Sequence, residues 1–160
     1  MSRAEQLIAD LHLQPHPEGG WYSELFRSDL VVHPADGRGA RGGLTTIYFL
    51  LTRGQQSRLH RVTSDEVWHF YEGDPLLLSV CSGAFEHFQQ VTLGPLSGEV
   101  VPVHVVPAGE WQAARSLGEY SLVGCTVGPA FDFVDFAMLS DSGELAEQFL
   151  LKYPAHVELV

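Results

Sequence analysis

The stretch Gly54-Gln55-Gln56-Ser57-Arg58-Leu59-His60-Arg61-Val62-Thr63-Ser64-Asp65-Glu66-Val67-Trp68-His69-Phe70-Tyr71-Glu72-Gly73 decides how this chain is read. Residues two apart on a strand share a face. A turn over residues 63–65 between two strands brings Glu66 back beside His60, with both side chains directed to the interior. Gly54 and Gly73 bound the pair, as tight turns require. The pattern places an imidazole and a carboxylate together inside a β structure, and a carboxylate there is costly unless it is paired or solvated.

The same text continues on both sides. Short runs rich in β-branched and aromatic residues predict strands at 21–27, 44–52, 57–63, 66–72, 76–82, 86–92, 100–106, 112–114, 120–126 and 133–137. Breaks separate them, among them Asp36-Gly37-Arg38-Gly39, Glu72-Gly73-Asp74-Pro75 and Pro107-Ala108-Gly109. Many short strands with no helix between them mean a sandwich or a closed barrel. Ahead of them, Ala4, Leu7, Ile8 and Leu11 fall on one helical face, and Ser2 with Glu5 has the spacing of a capping box. Near the end, Asp141 is placed to cap a second helix that carries Leu145, Phe149 and Lys152 and stops at Tyr153-Pro154. There is no repeat and no linker, so residues 1–160 are expected to form a single domain.

Composition narrows the partners. Hydrophobic residues make up 45% of the chain, enough for a real core. The net charge is −11, which argues against nucleic acid and against an anionic membrane surface. No apolar run approaches the roughly 18–20 residues of a membrane helix, and no signal peptide is seen, so a cytoplasmic location is expected. Cys81 and Cys125 read as buried, reduced thiols.

The spacing of the opening stretch resembles the first cupin motif, G-x5-H-x-H-x3-E-x6-G. Gly54, His60, Glu66 and Gly73 match it, and Val62 stands at the second histidine. Pro107, Gly109, Gln112 and Ser116 fall on the second motif, P-x-G-x2-H-x3-N, with Gln112 in place of histidine. Further blocks look like one largely uncharacterised branch, cupin family five. They are His16-Pro17-Glu18-Gly19-Gly20-Trp21-Tyr22 with Glu24, Arg27 and Ser28; Thr46-Ile47-Tyr48-Phe49-Leu50-Leu51; Trp111-Gln112-Ala113-Ala114; and Gly124 through Phe133. The resemblance implies an all-β double-stranded β-helix, the jelly-roll cupin barrel. The N-terminal and C-terminal helices read from the periodicity flank this barrel, and the resemblance implies that it is commonly a homodimer. It implies kinship with sugar epimerases but no settled reaction.

The resemblance also frames the metal question, since metal-binding cupins use three histidines and a glutamate. Valine ligates nothing, and a glutamine oxygen is a weak partner for a transition metal. No cofactor is therefore expected. A divalent metal on His60, Glu66 and Gln112 is the alternative. His69 falls on the opposite strand face from Glu66, which suits packing or a dimer contact.

The other candidates follow from position. His60 is either a general base or a hydrogen-bonded pocket histidine. Glu66 either contacts a ligand or pairs with Arg58 or Arg61. Tyr48, Trp68 and Phe70 are inward candidates for stacking on a sugar or aromatic ring, or plain core. Arg27 either closes the mouth on an anionic group or forms a surface ion pair. Tyr120 is a candidate proton donor opposite His60, by likeness to the sugar epimerases. Trp111 reads as core or dimer interface.

Two functions compete with the metal-dependent one. The first is a metal-independent isomerase or epimerase of a small polar molecule such as a nucleotide-linked sugar, with His60 as base, Glu66 orienting it and Tyr48 or Tyr120 as acid. The second is a binding module with the same pocket and no turnover.

Overall fold

The computed structural model describes all 160 residues. Helix α1 (Arg3–Asp10) is followed by β1 (Gln14–Pro15), β2 (Trp21–Arg27), β3 (Val31–Val32), β4 (Arg41–Gly42), β5 (Thr45–Thr52), β6 (His60–Val62), β7 (Asp65–Gly73), β8 (Leu76–Cys81), β9 (Phe88–Leu93), β10 (Val103–Val106), β11 (Trp111–Ser116), β12 (Tyr120–Gly128) and β13 (Phe136–Met138). Helix α2 (Gly143–Lys152) and a 3-10 segment, Pro154–Leu159, close the chain. One sheet has the order β1-β2-β5-β12-β7-β10 and the other β13-β6-β11-β8-β9; β3 and β4 form a separate hairpin. All pairings within the two large sheets are antiparallel. The sheets face each other as a jelly roll, and one buried cluster joins Phe49, Trp68 and Val123 of the first to Leu78, Val80 and Ala114 of the second.

Each sheet also has its outer face covered. Helix α1 lays Leu7 on Leu50 and Leu122, with Trp21, Tyr48 and Tyr120 around them. Its capping box is formed as its sequence foretells: Glu5 N–H donates to the Ser2 hydroxyl and Ser2 N–H to Glu5. Helix α2 covers the second sheet, packing Phe149 with Trp111, Phe85 and Leu59.

Several expectations are corrected here. Ser142, not Asp141, caps α2, accepting from Leu145 N–H, while Asp141 lies in the preceding 3-10 turn. The strand expected at 57–63 is only three residues long, because Ser57, Arg58 and Leu59 bond to Ala114, Glu18 and Leu159 rather than to one neighbouring strand. Residues 133–135 form a 3-10 turn capped by Asp132, so β13 starts at Phe136. Trp111 is buried beneath its own chain's α2, with Arg61 4.5 Å above its ring, and so is no dimer contact.

Candidate functional site

Three pieces of chain meet at one end of the interior. Strand β6 supplies His60 and Val62, and the start of β7 supplies Glu66. The loop between β1 and β2 supplies His16 and Glu18. That loop turns sharply, with His16 N–H bonded to Gly20 O and Gly19 N–H to His16 O. Gly19 has φ +104, and a Cβ there would lie 2.5 Å from the Gln56 carbonyl. Only glycine fits such an approach. Arg58 N–H then donates to Glu18 O at 3.1 Å, stitching the loop to the segment that leads into β6. The Glu18 side chain thereby comes under His60.

The result is a buried acid–base cluster. His60 Nε2 lies 2.9 Å from Glu18 Oε2, and His60 Nδ1 lies 2.8 Å from the Arg58 carbonyl. Both neighbours are acceptors, so both ring nitrogens carry protons and the ring is an imidazolium. Burial is the largest single influence and would lower its pKa, but the Glu18 charge and hydrogen bond, with Glu66 and the Arg58 carbonyl, together raise it to about 9. Glu66 is buried too, at 7% exposure. Burial raises its carboxyl to about 7, against the opposing charge of His60. Gln112, the cross-strand partner of His60, donates from Nε2 to Glu66 Oε2 at 2.5 Å and accepts the Trp68 indole N–H at 2.7 Å. His16 Nδ1 accepts the Glu18 backbone N–H at 3.2 Å. Burial lowers the pKa of this ring, so it is neutral with its proton on Nε2.

Above the cluster is a cavity of about 300 Å³, at the small end of the range for ligand pockets. His16, Glu18, His60 and Glu66 line it, with Cys125 beside Glu66. Apolar walls come from Ile47, Phe49, Val62, Val127 and the aromatic run Phe131, Phe133 and Phe136. Phe136 stacks on His60 with ring centroids 5.5 Å apart. Arg27, Glu24, Asp132, Tyr22 and Thr45 complete the lining.

Of the residues singled out from sequence, His60, Glu66 and Arg27 line this cavity. Gln112 and Trp68 lie behind Glu66 as its support, and Phe70 packs into the core. Tyr48 is on the outer face, against Tyr71 and under α1, because Thr45, Ile47 and Phe49 form the inward set of β5. Tyr120 does not stand opposite His60. It is on the same outer face, where its hydroxyl donates to Glu72, itself paired with Arg3. Neither Arg58 nor Arg61 forms an ion pair with Glu66. His16, Glu18 and Asp132 were given no role from the sequence. The signal for Glu18 was a carboxylate set in a proline- and glycine-bounded turn.

A family described as Cupin superfamily (DUF985) matches residues 5–139. The chain belongs to this cupin family. Two solved structures resemble this cupin along its whole length. A hypothetical protein from Leishmania major is 34% identical with a TM-score of 0.86, the match covering 99% of this chain and 97% of that one. A protein from Shewanella oneidensis is 35% identical with a TM-score of 0.83, covering 100% and 96%. Oxalate decarboxylase from Bacillus subtilis shares the fold at 15% identity and a TM-score of 0.60, over 94% of this chain and 36% of that one. No curated protein matches the sequence.

The donor set of this cupin does not fit the metal centre of three histidines and a glutamate. Val62 presents methyl groups to the cavity. The Gln112 oxygen is taken by Trp68, and both His60 nitrogens are taken by protein acceptors.

Proposed function

We propose that this cupin binds a small polar molecule, sugar-like in size, and moves a proton on it as a metal-independent isomerase or epimerase. The observation that carries the reading is a buried carboxyl group, Glu66, raised to about 7 at the floor of an open cavity. A general base works best with a pKa near the working pH. His60 cannot be that base, since both its nitrogens already hold protons against Arg58 and Glu18. Its cation instead restrains the rise of the Glu66 pKa.

In this scheme the Glu66 carboxylate takes a proton from a carbon beside a carbonyl, and the electron pair moves onto the carbonyl oxygen. Neutral His16, with Nε2–H free of protein partners, donates a hydrogen bond to that oxygen. For isomerisation the proton returns from Glu66 to the former carbonyl carbon while the adjacent hydroxyl proton passes to the former carbonyl oxygen; for epimerisation water delivers a proton to the opposite face and Glu66 releases its own to solvent. Environments that push titratable groups apart are the pattern of acid–base sites.

The test is solvent exchange. The protein is incubated in D2O with aldoses, ketoses and amino- or hydroxy-carbonyl compounds, and NMR reads deuterium entering carbon. Exchange is expected in at least one of them, falling about 100-fold or more in Glu66→Gln. A compound that binds without exchange makes the protein a binding module. Full exchange in Glu66→Gln removes Glu66 from the chemistry.

A further inference from the structure

Both cations in the cavity wall are already engaged by the chain itself. Arg27 forks onto Glu24, with Nε to Oε1 at 3.0 Å and Nη2 to Oε2 at 2.8 Å, and its Nη1 donates to the Phe131 carbonyl at 2.8 Å. His60 is held between Glu18 and the Arg58 carbonyl. Two Arg27 N–H groups remain, but its charge is already balanced by Glu24 and that of His60 by Glu18, so an anion entering the cavity meets no uncompensated cation.

The carboxyl groups tell the opposite story. Glu66 at the floor, where it accepts from Gln112 and feels the His60 charge, and Asp132 at the exposed rim line the same cavity, and neither forms a salt bridge. One Asp132 oxygen caps the following turn through Val134 N–H, leaving the other free of side-chain partners. On the same wall Phe131, Phe133 and Phe136 pack edge to face, with centroids 4.9–6.1 Å apart. Aromatic faces beside unpaired carboxylates are the chemistry that holds an organic ammonium group.

We propose that the pocket selects ligands carrying an ammonium group and no anionic group, so that its substrates are amine-bearing polar molecules rather than phosphorylated or nucleotide-linked ones. This rests on the reading of the cavity as the ligand site and narrows its substrate class.

The experiment compares matched probes at pH 7 by calorimetry and ligand-detected NMR: 2-phenylethylamine, 2-phenylethanol, 3-phenylpropionate and, for phosphate, glucose 6-phosphate. The amine is expected to bind most tightly, roughly tenfold ahead of the alcohol, with the two anions weakest. Asp132→Asn keeps the turn cap, because asparagine caps as well as aspartate. In that variant the gap between amine and alcohol is expected to shrink severalfold. An anion binding as tightly as the amine, or a gap unchanged in Asp132→Asn, overturns the proposal. If no probe of any charge binds, the ligand-site reading falls and takes this inference with it. If the amine preference holds while no compound exchanges deuterium, the charge selection stands and only the isomerase reading fails.

Discussion

Between the carbonyl of Arg58 and the carboxylate of Glu18, His60 holds a charge that it would lose above pH 6.5 in the unfolded chain. Folding therefore raises its proton affinity, and the stabilisation is complete below 6.5 and lost as the pH climbs through about 9. Glu66 acts in the same direction in a lower window. Its folded value, about 7, exceeds its unfolded 4.5, so its contribution also declines as the pH rises from 4.5 to 7. The His60 contribution is on the order of 3 kcal/mol. The melting temperature is expected to drop by several degrees between pH 6.5 and 9. In Glu18→Gln that drop should shrink sharply, because the Glu18 charge and hydrogen bond are gone and only Glu66 and the Arg58 carbonyl still oppose burial at His60. A fluorimetric melt across pH, run on both proteins, reads this directly. Sequence spacing located His60, Glu66 and Gln112. It does not reveal Glu18, whose place depends on a loop closing over a distant strand, and it leaves His60 as either a general base or a hydrogen-bonded pocket histidine, because spacing says nothing about which acceptors flank a ring.

The loop from His16 to Gly20 is the element on which the site depends. At Gly19 an alanine would combine a left-handed backbone with a Cβ 2.5 Å from Gln56 O. Gly19→Ala is expected to cost about 1–3 kcal/mol and to draw Glu18 away from His60. Its melting temperature should fall, and the pH dependence above 6.5 should weaken with it. At Gly54, also left-handed but with open space around its Cβ position, the same substitution carries only the backbone strain and should leave the pH dependence intact. The strands themselves were legible because turns and β-rich runs alternate so regularly. Their facing was less so. On β5, Tyr48 and Leu50 lie beneath α1 while Phe49 and Leu51 fill the interior, so both faces are apolar and alternation no longer says which is which. In β7 the register shifts opposite Leu122 and Val123, which puts Tyr71 and Glu72 out of simple alternation. Helix α2 was found one residue early because Asp141 and Ser142 are both good caps, and only the chain's path chooses between them.

Across the molecule, two helices cover the two outer faces, and no helix is long and apolar enough to cross a membrane. The α2 side has the more aromatic packing: Phe149 is fully buried among Phe85, Phe88, Tyr153 and Trp111. Phe149→Ala should cost about 3–5 kcal/mol, a fall of roughly 10 °C in melting temperature. A much smaller fall would mean that α2 is peripheral to the fold.

The last turn of the chain has a bearing on the pocket. Leu159 O accepts from Leu59 N–H at 2.7 Å, and Glu158 O accepts from the Gln56 amide at 2.7 Å, so the final residues hold the backbone just ahead of His60. Any change that displaces residues 158–159 therefore reaches the floor of the pocket through the backbone. Helix α1 lies on the other sheet, with Arg3 bonded to Glu72, and makes no such contact with the floor.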